Sequence, residues 1–467
     1  MNNSKGVLFL LPDCPGYFTD LCYKMGETLK TKGYTPVFAS TSPFYENFKK
    51  IDLNEVGKVY YLDVFLEKNI EKGKYEKFPI DHWSYYPSFS RQSYFLGEPL
   101  NDINTFKKTK LFFQTIFEEN NISLLFSEVV SNSFLYLAHE LGVVNNIPFF
   151  GILGARIPYH FNVHIDVVGN KVLINKDAPE EYIPINAAPD YMKNSQFGGL
   201  FDREYSLVSF SFLKELFQFV FLKHFYSLET RNTKSFLLKY YKTVVKRIVL
   251  DFYFSKILKI FQKEVKFETD KIYVTYPLHV YPEASTSVFA KYYDGNEFNL
   301  IKNIAFSLPE NAVLVVKEHK NNVGTNSRLF YKRIMQLPNV ILLDPYFNLR
   351  DNIGNFDLVI TLSGTVGFEA LTKGVPTYVL GEVFYQKYPQ VEKIISYFEL
   401  EEKLKKIKKK SAAIDTQQPY NIYSKICFPG SFNYMSPSCL NEENLLLLLK
   451  PMLDYLETGN LATQINN

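Results

Sequence analysis

The sequence predicts an α/β protein of two Rossmann-like domains facing a cleft, with a helical insertion between them. Three observations carry this. The chain opens strand, helix, strand: the apolar run Gly6 to Pro12, a helical pattern from Tyr17 to Lys32 closed by Gly33, then Thr35 to Ala39. The same grammar returns at Asp357 to Gly381, DLVITLSGTVGFEALTKGVPTYVLG. There the apolar Asp357 to Leu362 reads as a buried strand, Val366 to Lys373 as a helix closed by Gly374, and Val375 to Leu380 as the next strand. Finally, 467 residues is the length of two domains of roughly 200 residues each.

Composition narrows the function classes. With 46% hydrophobic and 22% charged residues the chain is globular. Lys plus Arg is 52 against Asp plus Glu 49, so a net charge of +3 gives no global field toward nucleic acid. The four cysteines (Cys14, Cys22, Cys427, Cys439) form no CxxC and stand at no zinc spacing, which points to a reduced, cytoplasmic protein without structural metal. The N-terminus lacks a signal peptide's basic start and long apolar core, and no apolar run reaches the ~18 residues of a membrane span.

In the first domain, Lys58 to Val64 is a third strand, and Glu67 to Glu98 is a loop-rich insertion suited to shaping an acceptor site. Asp13-Cys14-Pro15-Gly16 is not GxGxxG, so no dinucleotide fingerprint is present. A helix over Asn104 to Asn120 precedes a strand at Ser123 to Phe126, which ends on Ser127-Glu128. A helix over Ser131 to Leu141 precedes the strand Pro148 to Leu153, which ends on Gly154-Ala155-Arg156. Ligands of open α/β sheets gather at strand carboxyl ends, so Glu128 and Arg156 are either cleft residues or solvated loop charges. Gly169-Asn170 between apolar flanks marks a hairpin over Val167 to Ile174.

Pro179 to Lys266 reads as long and helical. Between Lys234 and Lys266 stand nine Lys/Arg against Asp251 and Glu264, interleaved with apolar residues at helical spacing. Such a stretch either lies on an anionic membrane surface or is an inter-domain helix with a solvated basic face. The organisation expected is thus 1–178, 179–268, 269–440 and a closing 441–467.

The second domain begins at Lys271 to Tyr276, followed by the loop His279 to Ser285. It continues through a helix over Glu297 to Leu308 and the strand Ala312 to Val316, which ends on Lys317-Glu318-His319-Lys320. Ser327 to Gln336 is a helix, Val340 to Leu343 a strand, and Leu349 to Asn355 a short helix. The six lysines of Glu399 to Lys410 read as a solvated helix end or loop. Ser411 to Ser438 is loop-like, and Asn441 to Glu457 is an amphipathic closing helix suited to packing back across the domain junction.

Three strand ends of this domain carry chemistry: His279 to Ser285, Lys317 to His319, and Ser363 to Glu369. A strand turning through Ser363-Gly364-Thr365 into a helix suits an anion, although Ser363 and Thr365 equally suit helix capping. Glu369 stands one turn in, within reach of a sugar hydroxyl. Lys317 and His319 are placed to neutralise charge on a departing phosphate. No Asp-x-Asp pair or His/carboxylate cluster is present, so the expectation is metal-independent chemistry with no cofactor.

YPLHVYPEAS, VVKEHK, PNVILLDPYFN and TLSGTVGFEALTKGVPTYVLG together resemble the bacterial capsule polysaccharide biosynthesis family, which includes Kdo transferases. That family is similar in turn to GT-B glycosyltransferases that use CMP-activated acidic sugars. The resemblance spans Tyr273 to Tyr385 and is weaker in the first domain, where LLFSE and GARIPYHF carry it. It implies a GT-B-like fold and a glycosyltransferase acting on a nucleotide-sugar donor and a glycan or glycolipid acceptor at the inner membrane face.

By the resemblance, the His/Gln-x3-Asp/Glu-x-Ser pattern falls on His279, Glu283 and Ser285, with Glu283 the catalytic carboxylate. Lys317 and His319 match the element that meets the CMP phosphate, Ser363, Gly364 and Thr365 the phosphate loop, and Glu369 the ribose contact. Glu128 becomes the acid/base partner, and Arg156 the holder of a sugar carboxylate. Two positions depart from the family: His319-Lys320 stands where His-Pro is usual, and Glu283 where Asp is frequent. The alternatives are a nucleotide-sugar epimerase of the same fold and a non-catalytic assembly or export component.

Overall fold

In the computed structural model the described residues are 4–12, 16–41, 51–67, 103–169, 171–181, 253, 260–280, 283–293, 297–319, 322, 326–410, 415–432, 437–461 and 463–465. Apart from Glu67, the expected insertion over 67–98 lies outside them, as does almost all of the basic helical stretch. The chain forms two compact units, the second ending at Tyr420 while Asn421–Asn467 returns to the first. No described helix is long and apolar enough to cross a membrane.

The first unit runs β1 (Gly6–Leu11), α1 (Gly16–Thr31), β2 (Thr35–Ser40), β3 (Lys58–Tyr61), α2 (Leu62–Glu67), α3 (Ile103–Glu119), β4 (Ile122–Glu128), α4 (Ser133–Val144), β5 (Phe149–Gly154), β6 (His160–His164) and β7 (Lys171–Leu173). The order β3-β2-β1-β4-β5 is parallel, and β6 and β7 extend it antiparallel. All six residues of β1 are buried because both faces of the sheet are covered. Its alternate residues separate cleanly: Val7, Phe9 and Leu11 join a core with Phe18, Leu21 and Met25 of α1. Leu8 and Leu10 pack on the opposite side with Phe112, Phe113, Leu137 and Leu141 of α3 and α4.

Two expected elements differ here. The third strand stops at Tyr61, where its one neighbour β2 also ends at Ser40, and residues without a ladder partner turn into α2. The hairpin's first arm is His160–His164, not the apolar Val167-Val168, which falls in the connection with Gly169 at φ 73°.

The second unit runs β8 (Ile272–Pro277), α5 (Ala284–Ser287), α6 (Glu297–Ser307), β9 (Ala312–Lys317), α7 (Arg328–Met335), β10 (Val340–Leu343), α8 (Leu349–Asn352), β11 (Leu358–Thr361), α9 (Val366–Leu371), β12 (Thr377–Val379), β13 (Val391–Lys393) and α10 (Tyr397–Leu404). All six strands are parallel in the order β10-β9-β8-β11-β12-β13. Counted along the chain, this is the Rossmann order three-two-one-four-five-six, which reverses direction between β8 and β11. Buried Asp357 clamps that junction, accepting the Tyr273 N–H at 2.9 Å and the Lys410 N–H at 3.1 Å.

Residues 260–266, expected to end a helix, are not helical. Phe261 is buried against Tyr331 with ring centroids 5.3 Å apart, and Gln262 bridges Leu343 in parallel. The unpaired edge of β10 captures the segment that its apolar residues pattern as helix. Just past the end of α10, Lys405 pairs with Glu401 and Lys406 with Glu402 on a solvated face.

The C-terminal return corrects the loop-like reading of 411–438. It contains α11 (Gln418–Ser424) and β14 (Phe428–Pro429), which pairs with β6. α12 (Glu442–Thr458) follows, capped by Asn441, whose side chain accepts the Asn444 N–H at 2.8 Å, and ended by Gly459 at φ 70°. Its Leu445, Leu448, Leu449, Met452 and Leu456 pack into the core beside α1, and β15 (Thr463–Ile465) pairs with β7. The closing helix is therefore part of the first unit's core. Cys22, Cys427 and Cys439 are buried, while Cys14 lies outside the described residues.

Candidate active site at a strand reversal

In the second unit, the carboxyl ends of β8 and β11 are neighbours at the reversal, and β9 flanks β8. The loop after β8 crosses over the end of β11. Ser363 donates its hydroxyl to the Ser285 carbonyl at 2.5 Å, and the Ser285 hydroxyl donates to Glu283 Oε2 at 3.3 Å. Glu283 is the N-cap of α5, and its own N–H donates to Thr286 Oγ1 at 3.3 Å. Further on, Glu382 N–H donates to the Phe289 carbonyl at 2.8 Å. A Cβ on Gly381 would stand 2.8 Å from both that carbonyl and Ala290 Cβ, so glycine is what lets the two loops close.

His279 is buried, with Nε2 3.1 Å from Thr361 Oγ1, and Thr361 Oγ1 also accepts the Gly364 N–H at 3.0 Å. The Gly364 carbonyl accepts from the Tyr385 hydroxyl. Ser363-Gly364-Thr365 is thus fixed by Ser285, Thr361 and Tyr385. The capping alternative does not hold: Thr365 occupies the N-cap position of α9 without a side-chain cap bond, and the Ser363 hydroxyl is turned to Ser285. Glu369 stands in the first turn of α9, partly buried.

At the end of β9, Lys317 donates to the carbonyls of Pro345 at 2.7 Å and Glu318 at 3.2 Å, which ties the strand end to the turn after β10. Burial pulls its ammonium down to about 8. His319 stands beside His279, close enough that its charge adds to burial in lowering the His279 imidazole to about 3. The Lys320 that follows lies outside the described residues.

Beneath these loops are two carboxyls that pattern reasoning passed over. Glu318 is fully buried and receives the Tyr331 hydroxyl at 2.6 Å, the Asn326 amide at 3.1 Å and the His319 N–H at 2.6 Å. Burial raises its carboxyl nonetheless. Glu297 receives the His279 N–H at 3.3 Å and the Tyr276 hydroxyl at 3.4 Å. Burial, with the Glu318 charge second, pushes Glu297 up to about 8. Together they hold the starts of the loops that carry His279 and His319. A charge at a strand end, as at Glu318 between Lys317 and His319, is the signal that marks one of them; Glu297 sits in an ordinary helical pattern.

The first unit places its two candidates at strand ends as well. Glu128 closes β4, the strand beside β1 where that sheet reverses, and its charge, after burial, raises the Cys22 thiol. Arg156 follows β5, its N–H donating to the Tyr423 hydroxyl at 2.9 Å, and Tyr423 donates to Asn162 Oδ1 at 2.6 Å. α11 therefore pins the turn that carries Arg156. A cavity of about 400 Å³ in this unit, lined among others by His139, Asp166, Lys171 and Tyr455, lies at the amino end of β5, away from these candidates. Among the described residues no group of three His, Cys, Asp or Glu is placed to hold a metal.

Residues 212–388 match the family model for "Capsule polysaccharide biosynthesis protein", which bears out the resemblance over that stretch. No curated protein matches the chain. Similar solved structures include the β-Kdo 2,7 transferase KpsC of Thermosulfurimonas dismutans (13% identity, 73% of this chain and 89% of that one, TM-score 0.32). A putative UDP-N-acetylglucosamine 2-epimerase from Listeria monocytogenes is also similar (11%, 98% and 97%, 0.28), as is the UDP-GlcNAc 2-epimerase of Neisseria meningitidis bound to UDP-GlcNAc (10%, 96% and 100%, 0.28).

Proposed function

We propose that this chain, which carries the capsule polysaccharide biosynthesis region over residues 212–388, is a GT-B-type glycosyltransferase. It transfers a sugar from a nucleotide donor to a glycan or glycolipid acceptor. One observation supports this above the others: Glu283, Ser285, His279, Thr361 and Ser363-Gly364 meet at the strand reversal of a six-stranded parallel sheet. Open α/β sheets bind nucleotides at such a reversal.

In this reading Ser363-Gly364-Thr365 receives the donor's phosphate and Glu369 the ribose. Glu283, oriented by the Ser285 hydroxyl, acts as nucleophile or base. Glu128 is its acid/base partner and Arg156 pairs with a sugar carboxylate. His319 and one remaining Lys317 N–H offset charge on the departing phosphate, so no metal is required. The donor of choice is a CMP-activated ulosonic acid such as Kdo. The setting is the cytoplasmic side of an anionic membrane, held by the basic stretch over 234–266.

Calorimetry with CMP, CDP and UDP tests the reading: CMP should bind with the highest affinity, and no binding of any of the three removes the enzyme. Donor incubated without acceptor separates a transferase, which leaves it intact or slowly hydrolysed, from an epimerase, which converts it. Flotation with anionic vesicles at low and high salt tests the membrane contact, which should weaken as salt rises.

A further inference from the structure

We infer that His279 is a neutral positioning residue, which acts through Thr361 to aim the Gly364-Thr365 peptide and does not carry a proton in turnover. The inference rests on the functional reading only in taking that peptide as the phosphate contact. The hydrogen-bond inventory of Thr361 leads to it. This threonine is fully buried, and its single hydroxyl meets two nitrogens: the Gly364 amide at 3.0 Å, which donates, and His279 Nε2 at 3.1 Å.

If Nε2 bore the proton, both nitrogens would donate to one oxygen. Among the described residues the hydroxyl proton would then have no acceptor, and the bare Nδ1, enclosed and without a partner among them, would have no donor. If the hydroxyl donates to Nε2, the described groups around Thr361 are satisfied, and among them only the Nδ1 proton is left without an acceptor. Buried polar groups favour the arrangement that strands fewer of them. The ring is therefore the Nδ1-protonated tautomer. The groups that face it reinforce its neutrality, because His319 opposes a second charge, while Glu297 is engaged with the His279 backbone and not the ring.

A consequence follows for the turn. With its proton held by His279, Thr361 presents a lone pair to the Gly364 N–H. The Gly364 carbonyl is held from the other side by Tyr385. In a trans peptide the next N–H, that of Thr365, points opposite to that carbonyl and so away from Tyr385. Glycine is required at the centre, since a Cβ would stand 2.8 Å from Thr361 Oγ1 and 3.2 Å from His279 Nε2.

The test pairs a spectroscopic with a binding readout. In ¹⁵N-histidine spectra of the wild type, His279 should show a protonated Nδ1 and a bare Nε2, unchanged across about pH 5 to 8. Thr361→Val and His279→Phe should each weaken CMP binding about tenfold, the value of one hydrogen bond. The double variant should be no weaker than Thr361→Val alone. His279→Gln, which restores an acceptor, should recover most of the loss, with melting curves confirming that each variant folds. A protonated Nε2, or a ring that titrates near 6.5, overturns the inference, as do additive losses. If the wild type binds no nucleotide the functional reading fails, and the spectra alone decide the role of His279.

Discussion

Tyr331 donates its hydroxyl to the Glu318 carboxylate across 2.6 Å in a fully buried setting, and Glu318 in turn receives the backbone N–H of His319. A helix residue thus holds the loop that carries His319, through one carboxylate. Tyr331→Phe leaves that carboxylate one donor short, and hydrogen bonds to buried charges are worth about 1.5–3 kcal/mol. The variant should lose stability of that order in urea titration. An unchanged midpoint would mean that the carboxylate is already protonated or satisfied elsewhere.

The Glu297 carboxyl, pushed up to about 8 mainly by burial, makes stability pH-dependent. The folded state holds this proton more tightly than the unfolded chain, whose glutamate titrates near 4.3. The contribution is therefore fully present below about pH 4.3 and is lost as pH rises through about 8. Glu297→Gln removes the titration. Relative to that variant, the wild type should lose stability between about pH 5 and 8, by at most ~1.4 kcal/mol per pH unit, and level off above. Parallel curves for the two proteins would place the proton elsewhere.

Gly367 lies in the first turn of α9 directly under Tyr385. A Cβ there would fall 2.3 Å from the Tyr385 hydroxyl and 2.8 Å from its ring. That ring is braced by Phe384 and Phe368 at centroid distances of 5.0 and 6.3 Å, so it has little room to yield. Gly367→Ala should cost about 1–3 kcal/mol by overpacking. It should also weaken nucleotide binding, because the same hydroxyl holds the Gly364 carbonyl. A variant with wild-type melting and affinity would show that the 383–388 loop adapts freely.

The legible parts of the sequence were those in which local pattern and tertiary burial agree. β1, β9 and β11 are short apolar runs that are largely buried, and α7 and α12 announce themselves through Ser327 and Asn441. The strand ends that carry His279, Ser363 and His319 follow directly from such runs. Elements that exist only because a distant edge pairs with them were not legible. Phe428–Pro429 is a strand because β6 offers an open edge, and Gln262 is extended because β10 does. Site chemistry shows the same divide. Ser363 and Gly364 stand out as turn residues, whereas Thr361 reads as one more β-branched strand residue. Its role appears only when β8 brings His279 alongside.

Glu283 and His319 give the most direct test of the chemistry. Glu283 caps α5 and takes the Ser285 hydroxyl through one oxygen, an arrangement that Gln reproduces by accepting through its amide oxygen. Glu283→Gln should therefore melt within a degree or two of the wild type, yet removing a nucleophile or base should lower transfer by at least about 10²-fold. His319 anchors its loop through its backbone N–H to Glu318, which His319→Ala retains. Loss of its side chain should reduce kcat about 10²–10³-fold with little effect on melting, as for removal of a charge-stabilising donor. It should also raise the His279 imidazole, since the neighbouring positive charge is gone. Near wild-type turnover in both variants would show that the reacting atoms sit elsewhere, while a fall in turnover matched by an equal fall in stability would assign both residues to the scaffold.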